Sequence, residues 1–131
     1  MVLDTNVLVS ALHFGGRPRR VFESVLRGGH RLVIGPAILS ELEAVLVETF
    51  AWDAARAAAV RGELEALADT VSSAEVPDVC RDRDDNQVLA IAVVGRADVI
   101  VTGDADLLAL GTFEGVAIMT VAKFDDVPPG Q

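Results

Sequence analysis

The chain contains one cysteine, Cys80, among its 131 residues. A single thiol cannot close an internal disulfide, and it has no second cysteine with which to build a structural zinc site. The sequence therefore excludes a disulfide scaffold and a zinc-stabilised fold. Because a lone thiol suits a reducing compartment, we expect a cytoplasmic protein.

The sequence also lacks a long apolar run. No stretch approaches the ~18 residues that a membrane span needs, so we expect no membrane partner. The first residues, Met-Val-Leu-Asp-Thr-Asn, contain no basic stretch followed by an apolar one, so we expect no secretory signal. Apolar residues make up 51% of the chain and charged residues 24%, which is ordinary for a globular domain of this length.

Basic residues are few: 11 lysines and arginines face 20 acidic residues, for a net charge of −9. This balance argues against a protein that holds nucleic acid by bulk attraction, because such proteins carry a basic field. The positive charge is concentrated in residues 1–35, which contain five arginines and two acids. Within this segment Arg17, Arg19 and Arg20 are candidate contacts to RNA phosphates or to an acidic partner, and a solvated face is the plain alternative.

Short apolar strands alternate with segments of helical periodicity along the chain. Strands are predicted at residues 2–3, 31–35, 71–76, 97–102 and 116–121. Helices are predicted at residues 7–12, 18–26, 36–46, 53–68, 85–94 and 106–110. This alternation predicts an α/β fold with a parallel sheet and helices on both faces. We expect one domain over residues 1–124 and a frayed C-terminal tail over residues 125–131.

Acidic residues are predicted to gather at one edge of this sheet. Ligands of open parallel sheets bind at the carboxyl ends of the strands, where the strand order reverses. Four places deliver carboxylates there: Asp4, Glu41, Asp85, and Asp104 with Asp106. Crowded carboxylates repel one another, and a divalent cation removes that cost. Because no histidine lies near them, zinc is disfavoured, and Mg²⁺ or Mn²⁺ is the expected metal.

Taken singly, three of these four places also have a capping explanation. Asp4, one residue of the 84–86 segment, and an acid of the 102–106 segment would each serve as a helix N-cap. Three caps and Glu41 all facing one crevice would be a coincidence, so we prefer the metal-site interpretation.

Two of the acids have an ambiguous neighbour. Asp84 stands beside Asp85, so the sequence does not decide which of the two is the third acid of the site. Glu41 and Glu43 lie on opposite borders of the same apolar stripe, so periodicity cannot choose between them. Glu41 is nearer to the start of its helix and therefore nearer to the crevice.

Four segments of the chain resemble the PIN domain family, and specifically the VapC-type or VapC-like toxin nucleases. They are Leu3-Asp-Thr-Asn-Val-Leu8, Leu39-Ser-Glu-Leu42, the Asp82–Ala92 segment with its Asp85-Asn86 pair, and Val101-Thr-Gly-Asp-Ala-Asp-Leu107. The resemblance covers almost the whole chain. It implies a three-layer α/β/α fold with a central parallel sheet of order 3-2-1-4-5.

The resemblance also implies roles for individual residues. It implies metal ligation by Asp4, Glu41, Asp85 and Asp104, with Asp106 in or beside the metal's coordination shell. Polar groups next to these acids would hydrogen-bond to the carboxylates or to metal-bound water, and they can cap helices as well. These polar residues are Thr5, Asn6 and Thr102.

The implied function is a Mg²⁺- or Mn²⁺-dependent endoribonuclease, the toxin of a type II toxin–antitoxin pair, in which metal-held acids position a water molecule for in-line attack. The implied partners are RNA, a cognate antitoxin and a second copy of the chain. Aromatic residues next to a helix junction, such as Phe50 and Trp52, are more often core residues; if they are exposed, they are candidate dimer contacts. One alternative is a receiver-like signalling module built on Asp4, Thr102 and Lys123, but it lacks a convincing phosphoacceptor after the third strand. The other alternative is a catalytically inactive PIN domain that only binds partners.

Overall fold

The computed structural model describes residues 1–73 and 75–125. Within them the strands are β1 (Val2–Leu3), β2 (Val33–Ile34), β3 (Asp69–Thr70), β4 (Val99–Val101), β5 (Thr112–Phe113) and β6 (Val116–Met119). The helices are α1 (Thr5–Val9), α2 (Gly16–Ser24), α3 (Pro36–Glu48), α4 (Ala54–Leu67), α5 (Arg83–Val94), α6 (Ala105–Leu110) and α7 (Val121–Asp125). One π-helical turn, Ser10–Phe14, extends α1, and another, Val25–Gly29, extends α2.

The strands form one sheet of order β3-β2-β1-β4-β6-β5. All neighbours pair in parallel except β5, which pairs antiparallel with β6. The predicted α/β fold is confirmed, and the predicted order 3-2-1-4-5 holds with β6 as the fifth parallel strand. The short edge strand β5 was not predicted. The order reverses between β1 and β4, so the crevice expected of such a sheet lies at their carboxyl ends.

The third strand lies two residues upstream of its predicted position, and the prediction of a strand at residues 71–76 is wrong. Asp69 and Thr70 are both exposed and carry no apolar signal. The Asp69 N–H donates to the Leu32 carbonyl at 2.9 Å, and the Val71 N–H donates to the Ile34 carbonyl at 2.9 Å. An edge strand of this length is defined by backbone pairing, which side-chain patterning does not report.

The C-terminal end also differs from the prediction. The last strand ends at Met119 rather than at residue 121, and α7 follows it. Asp125, predicted to begin a frayed tail, is the last residue of α7, and its carboxylate accepts a hydrogen bond from Arg20 at 3.1 Å. The rest of the predicted tail, residues 126–131, lies outside the described residues.

The core surrounds the central strands and the inner faces of the helices. Val2, Leu3, Ile100 and Val101 of β1 and β4 are fully buried. The largest buried side chains contributed by helices are Leu8, Leu39, Leu42, Leu46, Leu64, Leu89 and Leu107. Across residues 1–73 and 75–125, no helix combines the length and the apolar character of a bilayer-spanning segment.

Gly95, at the end of α5, lies so close to Val33 of β2 that a larger side chain would disturb the packing. A Cβ atom there would lie 2.9 Å from the Ile91 carbonyl oxygen and would overlap the Val33 side chain of β2. We expect Gly95→Ala to lower the free energy of unfolding by about 1–3 kcal/mol, the usual range for overpacking.

The matched control is Gly62→Ala in α4, where a Cβ atom meets nothing within 4 Å. Because alanine is the better helix former, this variant is expected to gain up to about 1 kcal/mol. Urea unfolding of both variants measures the difference. Equal stabilities would contradict the tight packing of α5 on the sheet.

Candidate metal centre

An acidic cleft opens at the carboxyl ends of β1 and β4. Six of its lining residues carry carboxylates: Asp4, Glu41, Asp82, Asp84, Asp85 and Asp104. Its other lining residues are Thr5, Asn6, Ala37, Ile38, Gln87 and Val88, so no lysine or arginine among residues 1–73 and 75–125 lines it. The structure therefore brings four separate segments of the chain together at the sheet edge where the sequence places the acids.

Asp4 follows β1 directly and caps α1. One carboxylate oxygen accepts from the Val7 N–H at 2.9 Å, and the other accepts from the Thr102 hydroxyl. Burial raises the pKa of Asp4, and these two hydrogen bonds oppose the rise. The capping role and the cleft position therefore coexist in one side chain.

Thr102 connects two of the acids. Its side chain is fully buried after β4, and its hydroxyl oxygen also accepts from the Asp104 N–H at 3.0 Å. Asp104 in turn caps α6, accepting from the backbone N–H groups of Asp106 at 2.9 Å and Leu107 at 3.1 Å. These bonds fix the position of Asp104 relative to Asp4.

Asp85 is the acid with the least satisfied environment. It is 8% exposed, and its Oδ2 atom is buried with no hydrogen-bond partner among the described residues. Burial, and next the negative charge of Asp104, raise the pKa of Asp85 to about 7. One carboxylate oxygen from each of Asp85, Asp104 and Asp106 lies within 4.8 Å of the others.

The neighbours of Asp85 take other roles. Asp84 is exposed, so Asp85 is the buried member of the pair. The N-cap of α5 is Asp82, which accepts from the Asp84 N–H at 2.9 Å. The prediction that one residue of the 84–86 segment caps this helix is therefore wrong. Asn86 instead holds the preceding loop, accepting from the Cys80 N–H at 2.8 Å and donating to the Cys80 carbonyl at 2.9 Å.

Glu41 and Glu43 of α3 face different surroundings. Glu41 faces the cleft and accepts from the Thr5 hydroxyl at 3.3 Å. Burial, and then the charge of Asp84, raise the pKa of Glu41. Glu43 instead lies 3.5 Å from Arg61 of α4. Asn6, the last polar residue predicted for the site, is exposed and lines the cleft.

The predicted arginine contacts lie elsewhere. Arg17 and Arg20 pair with Asp125 at 3.9 and 3.1 Å, and Arg19 pairs with Glu23 at 3.5 Å. None of the three lines the cleft. The cation that sequence reasoning missed is Arg81, which pairs with Asp106 at 3.2 Å.

The donor set fits a hard divalent cation. The cluster offers carboxylate oxygens alone, which Mg²⁺ and Mn²⁺ prefer. The unpaired buried Oδ2 of Asp85 is an acceptor that a cation would satisfy, because a buried polar atom without a partner destabilises the fold. The residues present are therefore suitable ligands for such an ion.

A family model described as PIN domain matches residues 1–106. The chain belongs to the PIN domain family. The matched range contains every acid of the cleft, from Asp4 to Asp104, and ends at Asp106. PIN domains are generally nucleases, and they bind divalent metal ions through acidic residues. Among curated proteins, none matches this PIN domain significantly.

The raised pKa of Asp85 predicts how stability depends on pH. The pKa rises from 3.8 to about 7 on folding, so between these values the folded state binds more protons than the unfolded state. The stability that this group contributes is complete below a pH of about 4 and is lost as the pH rises through about 7. Urea unfolding in EDTA measures it, and Asp85→Asn should remove this component. If the free energies of unfolding of the wild type and the variant change in parallel over this pH interval, Asp85 is not the cause of the pH dependence.

Proposed function

We propose that this PIN domain is a metal-dependent endoribonuclease that uses Mg²⁺ or Mn²⁺. The metal ligands would be Asp4, Glu41, Asp85 and Asp104, with Asp106 in or beside the coordination shell. The observation that carries the proposal is the buried, unpaired Oδ2 of Asp85, which lies beside Asp104 and Asp106 in a PIN-domain cleft.

The chain's own residues prepare the cleft for this chemistry. A divalent ion bound there supplies water activation and stabilisation of charge on a phosphodiester. Thr102 and the Val7 N–H fix the carboxylate of Asp4, and the N-terminus of α6 fixes that of Asp104. The Thr5 hydroxyl orients Glu41 by donating to its carboxylate. Ligands held in this way need little reorganisation when a cation or substrate arrives.

The signalling alternative has weak support. A receiver-like module needs a phosphoacceptor aspartate after the third strand, but β3 ends at Thr70 and the next residue is Val71. Lys123 lies in α7 and does not line the cleft. An inactive PIN domain is disfavoured because four of the predicted acids, Asp4, Glu41, Asp85 and Asp104, all line the cleft.

The resemblance of the sequence to VapC-type toxin nucleases supports a proposal for the biological role. The chain would be the cytoplasmic toxin of a type II toxin–antitoxin pair, and the antitoxin would place a basic side chain against the acids of the cleft. A guanidinium group suits this task because it pairs bidentately with carboxylates.

We expect the isolated chain to form a two-fold dimer. Trp52 takes the core position that is more usual at a helix junction and is not an exposed dimer contact: it is 8% exposed, and its indole N–H donates to His13 Nδ1 at 3.0 Å. Phe50 is half-buried, and its neighbour Phe14 is 69% exposed. Light scattering after size exclusion tests the dimer, and a strict monomer at high micromolar concentration would contradict it.

The decisive test of the activity is cleavage of an end-labelled RNA with internal single-stranded loops. We expect internal cuts in Mg²⁺ or Mn²⁺, none in EDTA, and recovery of cutting when the metal is restored in excess. Asp85→Asn, purified in parallel, excludes a contaminating ribonuclease. Cleavage that persists in EDTA, or that the variant retains in full, would overturn the proposal.

A further inference from the structure

Arg81 is a cation at the rim of an otherwise acidic site. It lies just before α5, and its guanidinium donates to both carboxylate oxygens of Asp106, at 3.2 and 3.3 Å. Its side chain is 90% exposed. A pair this exposed is weakly held, because water screens it and the free side chain has more conformational freedom. The guanidinium can therefore exchange Asp106 for another anion at low cost.

The backbone that carries Arg81 is better anchored than its side chain. The buried amide of Asn86 accepts from the Val79 and Cys80 N–H groups, at 3.2 and 2.8 Å, and donates to the Cys80 carbonyl at 2.9 Å. These three bonds tie residues 79 and 80 to α5, the helix that carries Asp85. The backbone at Arg81 is therefore held beside the acids, whereas its exposed side chain can change conformation.

The negative charge of the cleft means that a nearby cation would help an anionic substrate to bind. Six carboxylates line the cleft, and none of the basic residues in the described part of the chain does. An RNA phosphate approaching this surface meets net repulsion, and one bound divalent ion would offset only two of the six negative charges. Arg17, Arg19 and Arg20 are paired with Asp125 and Glu23 and do not line the cleft. Arg81 does not line the cleft either, but its partner Asp106 offers a carboxylate oxygen within 4.8 Å of those of Asp85 and Asp104, which do.

We propose that Arg81 is a phosphate-binding residue of this cleft, which Asp106 holds at the rim until RNA arrives and which then pairs with a phosphate of the substrate. The inference rests on the proposed ribonuclease function. A guanidinium suits both partners, because its fork of N–H donors matches a carboxylate and a phosphate equally well. Asp106 then has a second role besides metal binding, as the resting partner of Arg81.

The test compares wild type, Arg81→Ala, Arg81→Lys and the matched control Arg83→Ala. Arg83 is also exposed, lies two residues along, and forms no ion pair within the described residues. Steady-state cleavage of a short RNA gives kcat and KM at several salt concentrations. We expect Arg81→Ala to raise KM about tenfold, as loss of a charge-assisted hydrogen bond would, with kcat nearly unchanged.

Salt dependence provides a second readout of phosphate contact. The slope of log(kcat/KM) against log salt should become shallower by about 0.7 in Arg81→Ala, the value for one contact to a single strand. Arg81→Lys should restore the slope, and Arg83→Ala should keep it. A third readout needs no turnover: calorimetric titration with Mn²⁺ alone should give Arg81→Ala an affinity equal to or tighter than that of the wild type, because a competing cation has left Asp106.

The outcomes separate this inference from the proposed function. If the wild type cleaves RNA and Arg81→Ala matches Arg83→Ala in KM and salt slope, Arg81 is not a phosphate contact. If Arg81→Ala weakens Mn²⁺ binding, Arg81 supports the metal site instead, and the inference is wrong. If the wild type cleaves no RNA in either metal, the proposed function is wrong, and this inference, which depends on it, is wrong as well.

Discussion

Asp4→Asn is expected to lower RNA cleavage by about a thousandfold or more, which corresponds to at least about 4 kcal/mol of lost transition-state stabilisation. The fold should survive the change. Asparagine is as good an N-cap as aspartate, so its side-chain oxygen can still accept from the Val7 N–H. Burial raises the pKa of Asp4, so removing the charge should preserve or increase the free energy of unfolding of the metal-free protein.

Glu43→Gln is the control for this prediction. It removes one negative charge from α3, but the side chain pairs with Arg61 outside the cleft. Cleavage rates and thermal unfolding are measured on both variants. Full activity of Asp4→Asn at saturating Mg²⁺ would show that the proposed site is wrong. A fold lost in Asp4→Asn would contradict the capping argument instead.

Added Mg²⁺ or Mn²⁺ is expected to raise the melting temperature markedly. At a hundredfold excess over the dissociation constant, linkage contributes about 3 kcal/mol to the stability of the folded state. The double variant Asp85→Asn/Asp104→Asn should lose this response, because it removes two carboxylates of the cluster. The asparagine that replaces Asp104 can still cap α6, so the fold should be retained.

A charge-matched double variant shows whether the response belongs to the cleft. Glu63→Gln/Glu114→Gln also removes two negative charges, and both glutamates are exposed and lie outside the cleft. This control should keep the full metal-induced shift in a thermal melt. An equal shift in the Asp85→Asn/Asp104→Asn variant would place the ion elsewhere on the acidic surface.

The position of the cleft was predictable because it depends on topology. Parallel strands that alternate with helices place Asp4 and Asp104 at the carboxyl ends of neighbouring strands, and the structure has β1 beside β4. The capping and metal-site interpretations were not true alternatives. An N-cap at a strand end puts a fixed carboxylate at the edge where ligands bind. The metal-binding roles of these acids stay predictions.

Other features depended on contacts that local sequence does not contain. Periodicity could not distinguish Glu41 from Glu43. The packing of α3 against α4 does, because it pairs Glu43 with Arg61 and leaves Glu41 at the cleft. Asp82 and Asp85 lie within one turn of each other, so which acid caps and which is buried depends on where α5 begins. The Arg81–Asp106 pair spans 25 residues and leaves no local pattern.

The most direct measurement of the metal centre is anomalous diffraction from a crystal of the protein grown or soaked with Mn²⁺. We predict a peak within coordination distance of Asp85 Oδ2 and of the Asp104 carboxylate, at roughly 2.0–2.3 Å from each oxygen. The peak should be absent from a crystal of Asp85→Asn/Asp104→Asn. Manganese bound only at acids outside the cleft, with none between these two carboxylates at saturating concentration, would contradict the account.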